Sequence, residues 1–191
     1  MSVKLHLKSS LWENKSDPRV HKRGSCCQSL DSLLAAQSID DIISALQQLN
    51  GFYALVWEDE EGNNYAAVDH IRSIPLFYAL KDQVFYLSDN AEWVREQVEN
   101  EVMDRLAKEE FLLAGYVTGQ DTLFPEVKQL QAGECLKLER CDGKVKLSTH
   151  RYYRFWHNEP EAFDEFELLQ HLEEVMLNAM KRLIKYAKGR Q

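Results

Sequence analysis

The stretch that decides the fold is LNGFYALVWEDEEGNNYAAVDHIRSIPLFYAL, residues 49–80. Aromatic and β-branched residues dominate 52–58 and return at 65–69, and the polar turn DEEGNN separates these two runs. Such runs on either side of a short polar turn predict two antiparallel strands. A second pair of strands is predicted at 76–80 and 84–87, around KDQ. We therefore expect a sheet-rich core built from local hairpins.

Helices and further strands are predicted on both sides of this stretch. Ser38 is a typical N-cap, and Asp142-Gly143 is a dipeptide that favours a tight hairpin turn. A polar linker at 157–162 precedes the last helix, whose apolar residues recur at helical spacing. In chain order, the remaining elements are strands at 3–7 and 20–26, helices at 29–36, 38–49, 90–98 and 105–114, strands flanking Asp142-Gly143, and a long helix at 163–187.

Charge and composition exclude several classes of protein. The formal net charge is −8, and no basic block is present, so nucleic acid is not an expected partner. No apolar run approaches the roughly 20 residues that cross a bilayer, and the first residues lack the apolar region of a signal peptide. We therefore expect a cytoplasmic protein with no membrane partner. The four cysteines lack zinc-ligand spacing and are interpreted as reduced thiols.

Four segments, taken in order, carry a family resemblance. They are LNGFYALVWED (49–59), VDHIRSIPLFYAL (68–80), YLSDNAEWV (86–94) and GYVTGQDTLFPEVKQLQAGECLKLE (115–139), with Arg151-Tyr152-Tyr153 after them. The second segment is similar to the motif R-D-x-x-G-x-x-P-L-Y-Y. Together the segments resemble the amino-terminal, class II glutamine amidotransferase domain of asparagine synthetases, over residues 49–156.

This resemblance implies a fold that the pattern of elements alone would not identify. The family has the four-layer αββα sandwich of amino-terminal-nucleophile (Ntn) hydrolases, an α+β fold of largely antiparallel sheets. Only forty-eight residues precede Leu49 here, about half of what the family uses, so the sandwich is expected to be shortened at its amino terminus. The amidotransferase-like domain is assigned to residues 1–156.

The catalytic parts of the family are missing from the matching positions. In the family, a cysteine exposed by methionine removal attacks the glutamine amide, and its own α-amine acts as the base. Family members open with M-C-G-I, whereas this chain opens Met1-Ser2-Val3-Lys4. The glutamine-binding pieces R-x-x-I-x-D, N-G-E-I-Y-N and S-D-x-E are not found before Leu49. We therefore expect a degenerate active site with no assigned catalytic residue, and Ser2 is the one candidate nucleophile.

The amide-forming chemistry of asparagine synthetases lies in a carboxyl-terminal ATP-pyrophosphatase domain. Its S-G-G-x-D-S loop is not in this chain, so the resemblance implies ATP and Mg²⁺ for an absent domain and no cofactor or metal here. Residues 157–191 are interpreted as a linker and helix leading toward that synthetase domain, with Gln191 at a boundary just before it. The synthetase domain is the expected partner, and a homodimer is an open alternative.

Other residue types that carry chemistry have plainer interpretations. Cys26 lies near His21, which leaves a cysteine nucleophile as an alternative. Asp69 and His70 belong to the second matching segment and are interpreted as structural and packed, respectively. Two further histidines, His150 and His157, flank an aromatic cluster that either packs under the long helix or stacks on a ligand.

Three functional hypotheses remain open. The first is the amidotransferase-like front domain of an asparagine-synthetase-like ligase of asparagine biosynthesis, without glutaminase activity of its own. The second is an active Ntn amidohydrolase that uses Ser2. The third is a stand-alone protein-interaction module whose binding surface is the apolar stripe of the last helix. Whether this chain is itself an enzyme is left open.

Overall fold

Ten strands and five helices make up the described part of the chain in the computed structural model. The structure describes residues 2–8, 10–14, 17–141, 144–157 and 164–187. The strands are β1 (Ser2–His6), β2 (Glu13–Asn14), β3 (Val20–Cys26), β4 (Gly51–Glu58), β5 (Asn64–Val68), β6 (Phe77–Lys81), β7 (Val84–Ser88), β8 (Lys128–Gln129), β9 (Glu134–Cys141) and β10 (Lys144–Arg151). The helices are α1 (Asp31–Leu34), α2 (Ile39–Gln48), α3 (Ala91–Gln97), α4 (Arg105–Ala114) and α5 (Glu165–Ala187).

The strands form two sheets. The four-stranded sheet has the order β1-β7-β6-β8, and the six-stranded sheet has the order β10-β9-β5-β4-β3-β2. In the described part of the chain, β1 pairs with β7 in parallel, and the other ladders are antiparallel. Antiparallel neighbours can be joined by short turns, which is why hairpins close along the chain in both sheets.

Three buried clusters define the layers of the sandwich. Strand β4 shows the arrangement, because Tyr53, Leu55 and Trp57 face the core under α1 and α2, whereas Ala54 and Val56 face the core between the sheets. Alternate residues of a strand point to opposite faces, so β4 is buried on both sides. A third cluster packs α3 on the outer face of the four-stranded sheet. The layers are therefore helix, sheet, sheet and helix, which confirms the predicted α+β sandwich of largely antiparallel sheets.

Helix α2 shows how local sequence fixes an element that the sandwich then buries. Ser38 accepts a hydrogen bond from the Asp41 backbone N–H, and the Asp41 carboxylate accepts from the Ser38 N–H in return. This capping box satisfies two N–H groups that a helix start leaves unpaired. Ile42 and Leu46 then lie on the buried face, at 3% and 0% exposure. The N-cap predicted at Ser38 is confirmed.

The chain divides into two compact units, Met1–Arg154 and Phe155–Gln191. The first unit holds the sandwich. The second contains α5, which runs over 23 residues and leaves the large apolar side chains of its stripe half exposed or more, among them Leu169, Leu172 and Met180. No helix in the described residues is both long enough and apolar enough to cross a membrane.

Some element predictions need correction. Helix α1 covers Asp31–Leu34 instead of 29–36, and the two-residue strands β2 and β8 were not predicted. Strands this short exist only because a neighbouring strand pairs with them, so no local pattern marks them. The turn at Asp142-Gly143 and, apart from His157, the linker at 157–162 lie outside the described residues, although β9 and β10 do pair as an antiparallel ladder.

Candidate functional site

Ser2 lies at the start of the edge strand β1, opposite Val84 of β7. Because strand residues alternate, Ser2 shares a face with Lys4 and His6. That face points to the α3 side of the sheet, since His6 stacks on Trp93 with ring centroids 4.9 Å apart. Ser2 is therefore outside the core between the two sheets.

The surroundings of Ser2 are open. The residue is exposed, and within the described residues no histidine or carboxylate makes a hydrogen bond with it. On the same face, the Lys4 ammonium group lies 5.4 Å from the centroid of the Tyr86 ring. A terminal serine nucleophile uses its own α-amine as base, which for Ser2 requires removal of Met1.

A partly buried ion pair links the two sheets. The Asp89 carboxylate follows β7 and accepts hydrogen bonds from Arg23 Nη1 of β3 at 2.6 Å and from Trp12 Nε1 at 3.0 Å. The Asp89 side chain is only 4% exposed, so both bonds form in a medium that strengthens them. Sequence reasoning missed this contact, because nothing local links residues that lie 66 positions apart.

Asp69 organises the loop that follows β5. Its carboxylate accepts hydrogen bonds from the backbone N–H groups of Tyr53, Ile71 and Ser73 at 3.0–3.1 Å, and from the Ser73 hydroxyl at 3.2 Å. Asp69 is 1% exposed, and its own backbone C=O accepts from the N–H of Gly133. A carboxylate so fully occupied holds the loop in shape and has little capacity left for a substrate.

His70 contacts two aromatic rings from the end of the first unit. Its ring meets Tyr153 edge-on at 4.4 Å and Tyr152 at 5.6 Å. Tyr152 is buried, and its hydroxyl lies 3.0 Å from the hydroxyl of Tyr53 and also contacts the Val68 C=O. The structure thus assembles part of the predicted aromatic cluster around His70. His150 instead pairs with Ser148 on its own strand, at 3.2 Å.

Burial gives His70 a specific pH behaviour. Desolvation lowers the pKa of His70, and the nearby Asp69 only partly opposes this. Because the unfolded-state pKa of about 6.5 is then the higher one, the unfolded chain binds the proton first as pH falls below that value. We therefore expect the free energy of unfolding to decrease as the pH is lowered from about 7.5 to 5.5. This decrease should be smaller in His70→Gln. Urea unfolding at both pH values measures this decrease.

His171→Gln, at an exposed position of α5, is the control. The expectation would be contradicted if the free energy of unfolding of His70→Gln fell with pH as much as that of the wild type.

The structure separates Cys26 from His21. Both lie on β3, but the odd-numbered His21 faces a small pocket with Leu5 and Trp12, whereas Cys26 packs against the core under the helices. Residues five apart on a strand point to opposite faces, so this histidine cannot act as a base for this thiol. Cys135 is fully buried, and burial raises the pKa of its thiol.

A cavity of about 670 Å³ in the first unit lies beside the Asp69 loop. Its walls include apolar rings such as Phe77 and Phe124, and two arginines, Arg72 and Arg151. Volumes of this size suit a small organic ligand. Sequence reasoning did not propose either arginine as a functional residue, although Arg151 belongs to the Arg151-Tyr152-Tyr153 piece of the family resemblance. Within the described residues, no group of three or more His, Cys, Asp or Glu side chains could hold a metal ion.

Comparison with known proteins identifies one family. The family model described as a glutamine amidotransferase domain matches residues 35–153. This range contains the strands β4 to β10 and the Asp69 loop, and it begins after β1. No curated protein matches the chain significantly.

Proposed function

From the premise that this chain belongs to the glutamine amidotransferase domain family, we propose that it is the front domain of an asparagine-synthetase-like protein and does not hydrolyse glutamine by itself. Its role is to support an ATP-dependent amide-forming domain of the same protein. That domain uses ATP and Mg²⁺, and its amine comes from free ammonia or from another amine nucleophile. The work of the complete protein is thus that of a ligase.

One contrast within the first unit carries this proposal. The described interior of the domain is well packed, with two sheets and a loop held by the buried Asp69 carboxylate. The strand that bears the nucleophile in the resembling enzymes instead begins with an exposed Ser2, on the same face as Lys4 and His6. An activated nucleophile needs a base and an oxyanion-binding group. The base would have to be the α-amine of Ser2 itself, and in the described residues no side chain forms a hydrogen bond with Ser2.

The long helix supports the expected partnership with a synthetase domain. Helix α5 has a stripe of apolar side chains that remain about half exposed or more within the described structure, from Leu169 to Ile184. Exposed apolar stripes of this length are typical of surfaces that pack on another domain or subunit. We propose that the stripe packs on the synthetase domain, and a homodimer that covers it is the competing arrangement.

Glutamine hydrolysis tests the inactive-domain proposal. We expect the chain to release glutamate from glutamine no faster than buffer alone, and Ser2→Ala to behave in the same way, because Ser2 lacks a catalytic environment. Glutamate is measured by an enzyme-coupled assay, with Ser10→Ala as the control for loss of an exposed hydroxyl. Turnover that disappears in Ser2→Ala but persists in Ser10→Ala would establish the Ser2 amidohydrolase instead.

Reading the gene beyond codon 191 tests the partnership. We expect an S-G-G-x-D-S loop shortly downstream, because its backbone amides would hold the pyrophosphate of ATP. The extended protein should then form an amide from a carboxylic acid, ATP and ammonia. A stop codon in that position would favour the stand-alone interaction module, with the α5 stripe as its binding surface.

A further inference from the structure

Arg72 occupies a backbone conformation that favours glycine. It stands where the motif R-D-x-x-G-x-x-P-L has its glycine, and its φ is +56°. Residues other than glycine are strained in this left-handed region. Strained residues in folded proteins are often found at functional sites. Arginine is not one of the residue types that tolerate this conformation best. The side chain therefore needs an explanation beyond the turn itself.

The guanidinium of Arg72 has no acidic partner among the described residues. Its Nη1 donates to the Gln129 side-chain oxygen and, at 3.4 Å, to the Leu130 C=O, both of which are uncharged acceptors. In the part of the chain that the structure describes, Arg72 forms no ion pair and its Nε and Nη2 form no hydrogen bonds. Burial lowers the pKa of this guanidinium, as expected for a cation without a counter-ion.

Arg151 brings a second guanidinium to the same cavity. Its Nη2 donates to the Gln131 side-chain oxygen, and its Nε is buried with no partner among the described residues. Gln129 and Gln131 are two positions apart, so one short segment holds both arginines. Glu134 lies directly across the ladder from Arg151, but its carboxylate accepts from the Gln131 backbone N–H at 2.8 Å and makes no ion pair with Arg151.

The other charges on the cavity wall are already compensated. Glu92 pairs with Arg95 at 2.5 Å, and Asp121 pairs with Lys128 at 2.7 Å. The remaining wall is largely apolar and includes Phe77, Phe124 and Val127, of which Val127 is 1% exposed. The cavity therefore combines two unpaired cations with an apolar surface large enough for a ring or a short chain.

We propose that this cavity binds a small organic carboxylate, with the carboxylate at Arg72 and Arg151 and an apolar body against Phe77 and Phe124. A carboxylate fits the free donors of the two planar guanidiniums. A phosphate dianion has three terminal oxygens to satisfy, and the Glu134 carboxylate across the ladder from Arg151 disfavours a dianion more than a monoanion. No residue of β1 lines this cavity, and the inference does not depend on the glutaminase question.

Calorimetric titration of the full chain with phenylacetate tests the proposal. We expect phenylacetate to bind with a Kd of about 1 mM or lower, and the neutral phenylacetamide to bind at least about tenfold more weakly. Phenyl phosphate should also bind more weakly than phenylacetate. Equal binding of the amide, or tighter binding of the phosphate, would overturn the assignment of a carboxylate site, as would no detectable binding of phenylacetate.

Variants locate the site. Arg72→Gly is informative because glycine suits φ of +56°, so the variant should fold and keep its melting temperature within about 3 °C of the wild type, yet bind phenylacetate at least about tenfold more weakly. Arg151→Gln should weaken binding in the same way. Arg105→Gln, whose parent side chain is 93% exposed and outside the cavity, controls for the change in net charge.

The outcomes separate a binding role from a structural one. Weaker binding in both cavity variants and unchanged binding in Arg105→Gln would support the site. Unchanged binding in Arg151→Gln would overturn it, even if Arg72→Gly failed to fold. A clear fall in the melting temperature of Arg72→Gly with unchanged phenylacetate affinity would show that Arg72 only stabilises the loop.

Discussion

Asp69→Ala is expected to lower the free energy of unfolding of the first unit by roughly 3–5 kcal/mol. The Asp69 side chain is buried, at 1% residue exposure, and accepts hydrogen bonds from three backbone N–H groups and one hydroxyl. Alanine would leave the buried N–H of Tyr53 without this acceptor and would remove the charge-assisted hydrogen bonds of Ile71 and Ser73. Each buried unsatisfied donor costs about 1–3 kcal/mol. The loop that carries Arg72 would lose its shape at the same time.

Urea unfolding followed by tryptophan fluorescence measures this effect, since Trp57 is buried in the first unit. Asp69→Asn keeps the size of the side chain and one acceptor oxygen, so it should fall between the wild type and Asp69→Ala. Asp121→Ala is the control, because it removes a carboxylate that is 60% exposed and should cost less than about 1 kcal/mol. A loss of that small size in Asp69→Ala would refute the structural role of the carboxylate.

Gly24→Ala is expected to cost roughly 4 kcal/mol or more, and to prevent normal pairing of β3 with β4. Gly24 lies opposite Tyr53 in that ladder and has a φ of +87°. A Cβ atom added there would lie 2.0 Å from the backbone oxygen of Phe52 and 3.0 Å from Ile74 Cδ1. The Phe52 oxygen belongs to the backbone, so it cannot move away by a change of rotamer as a side-chain atom can. The strand must therefore move away from its neighbour.

Gly62→Ala separates the clash from the backbone strain. Gly62 has a similar φ of +83°, but a Cβ atom there would meet nothing within 4 Å. Only the conformational cost remains, about 1 kcal/mol. Amide hydrogen exchange in β3 and β4, together with urea unfolding, would distinguish the two variants. Equal losses in Gly24→Ala and Gly62→Ala would show that the close approach of Phe52 does not limit this position.

The arrangement of β4 was largely predictable, and that of β1 was not. The run of aromatic and β-branched residues at 52–58 predicts a strand, and the turn after it predicts the antiparallel partner β5. The alternation in β1 also predicts a strand. Its parallel partner β7 is distant in the sequence, however, so that Ser2 pairs with Val84. A strand pattern states that a partner exists and does not say which one.

The candidate sites divide in the same way. Sequence reasoning placed Asp69 and His70 in one matching segment and interpreted them as structural and packed, and the contacts of both residues are consistent with that interpretation. It identified Ser2 by position in the chain alone. It passed over Arg72, although the glycine of the motif at that position was a usable signal, and it named Arg151 in the family resemblance without giving it a role. An arginine at either position becomes informative only when the described residues are seen to provide no charged partner for it.

The sequence by itself determined the α+β composition, the capping of α2 by Ser38, the amphipathic stripe of α5 and the family resemblance, because each rests on neighbours in the chain. The tertiary structure decided the contact of Arg23 with Asp89, which spans 66 positions, and the meeting of Arg72 and Arg151 in one cavity. Helix and strand periods are local properties of the backbone. Which distant side chains share a buried space depends on how the two sheets and their helices pack together, and no short segment encodes that.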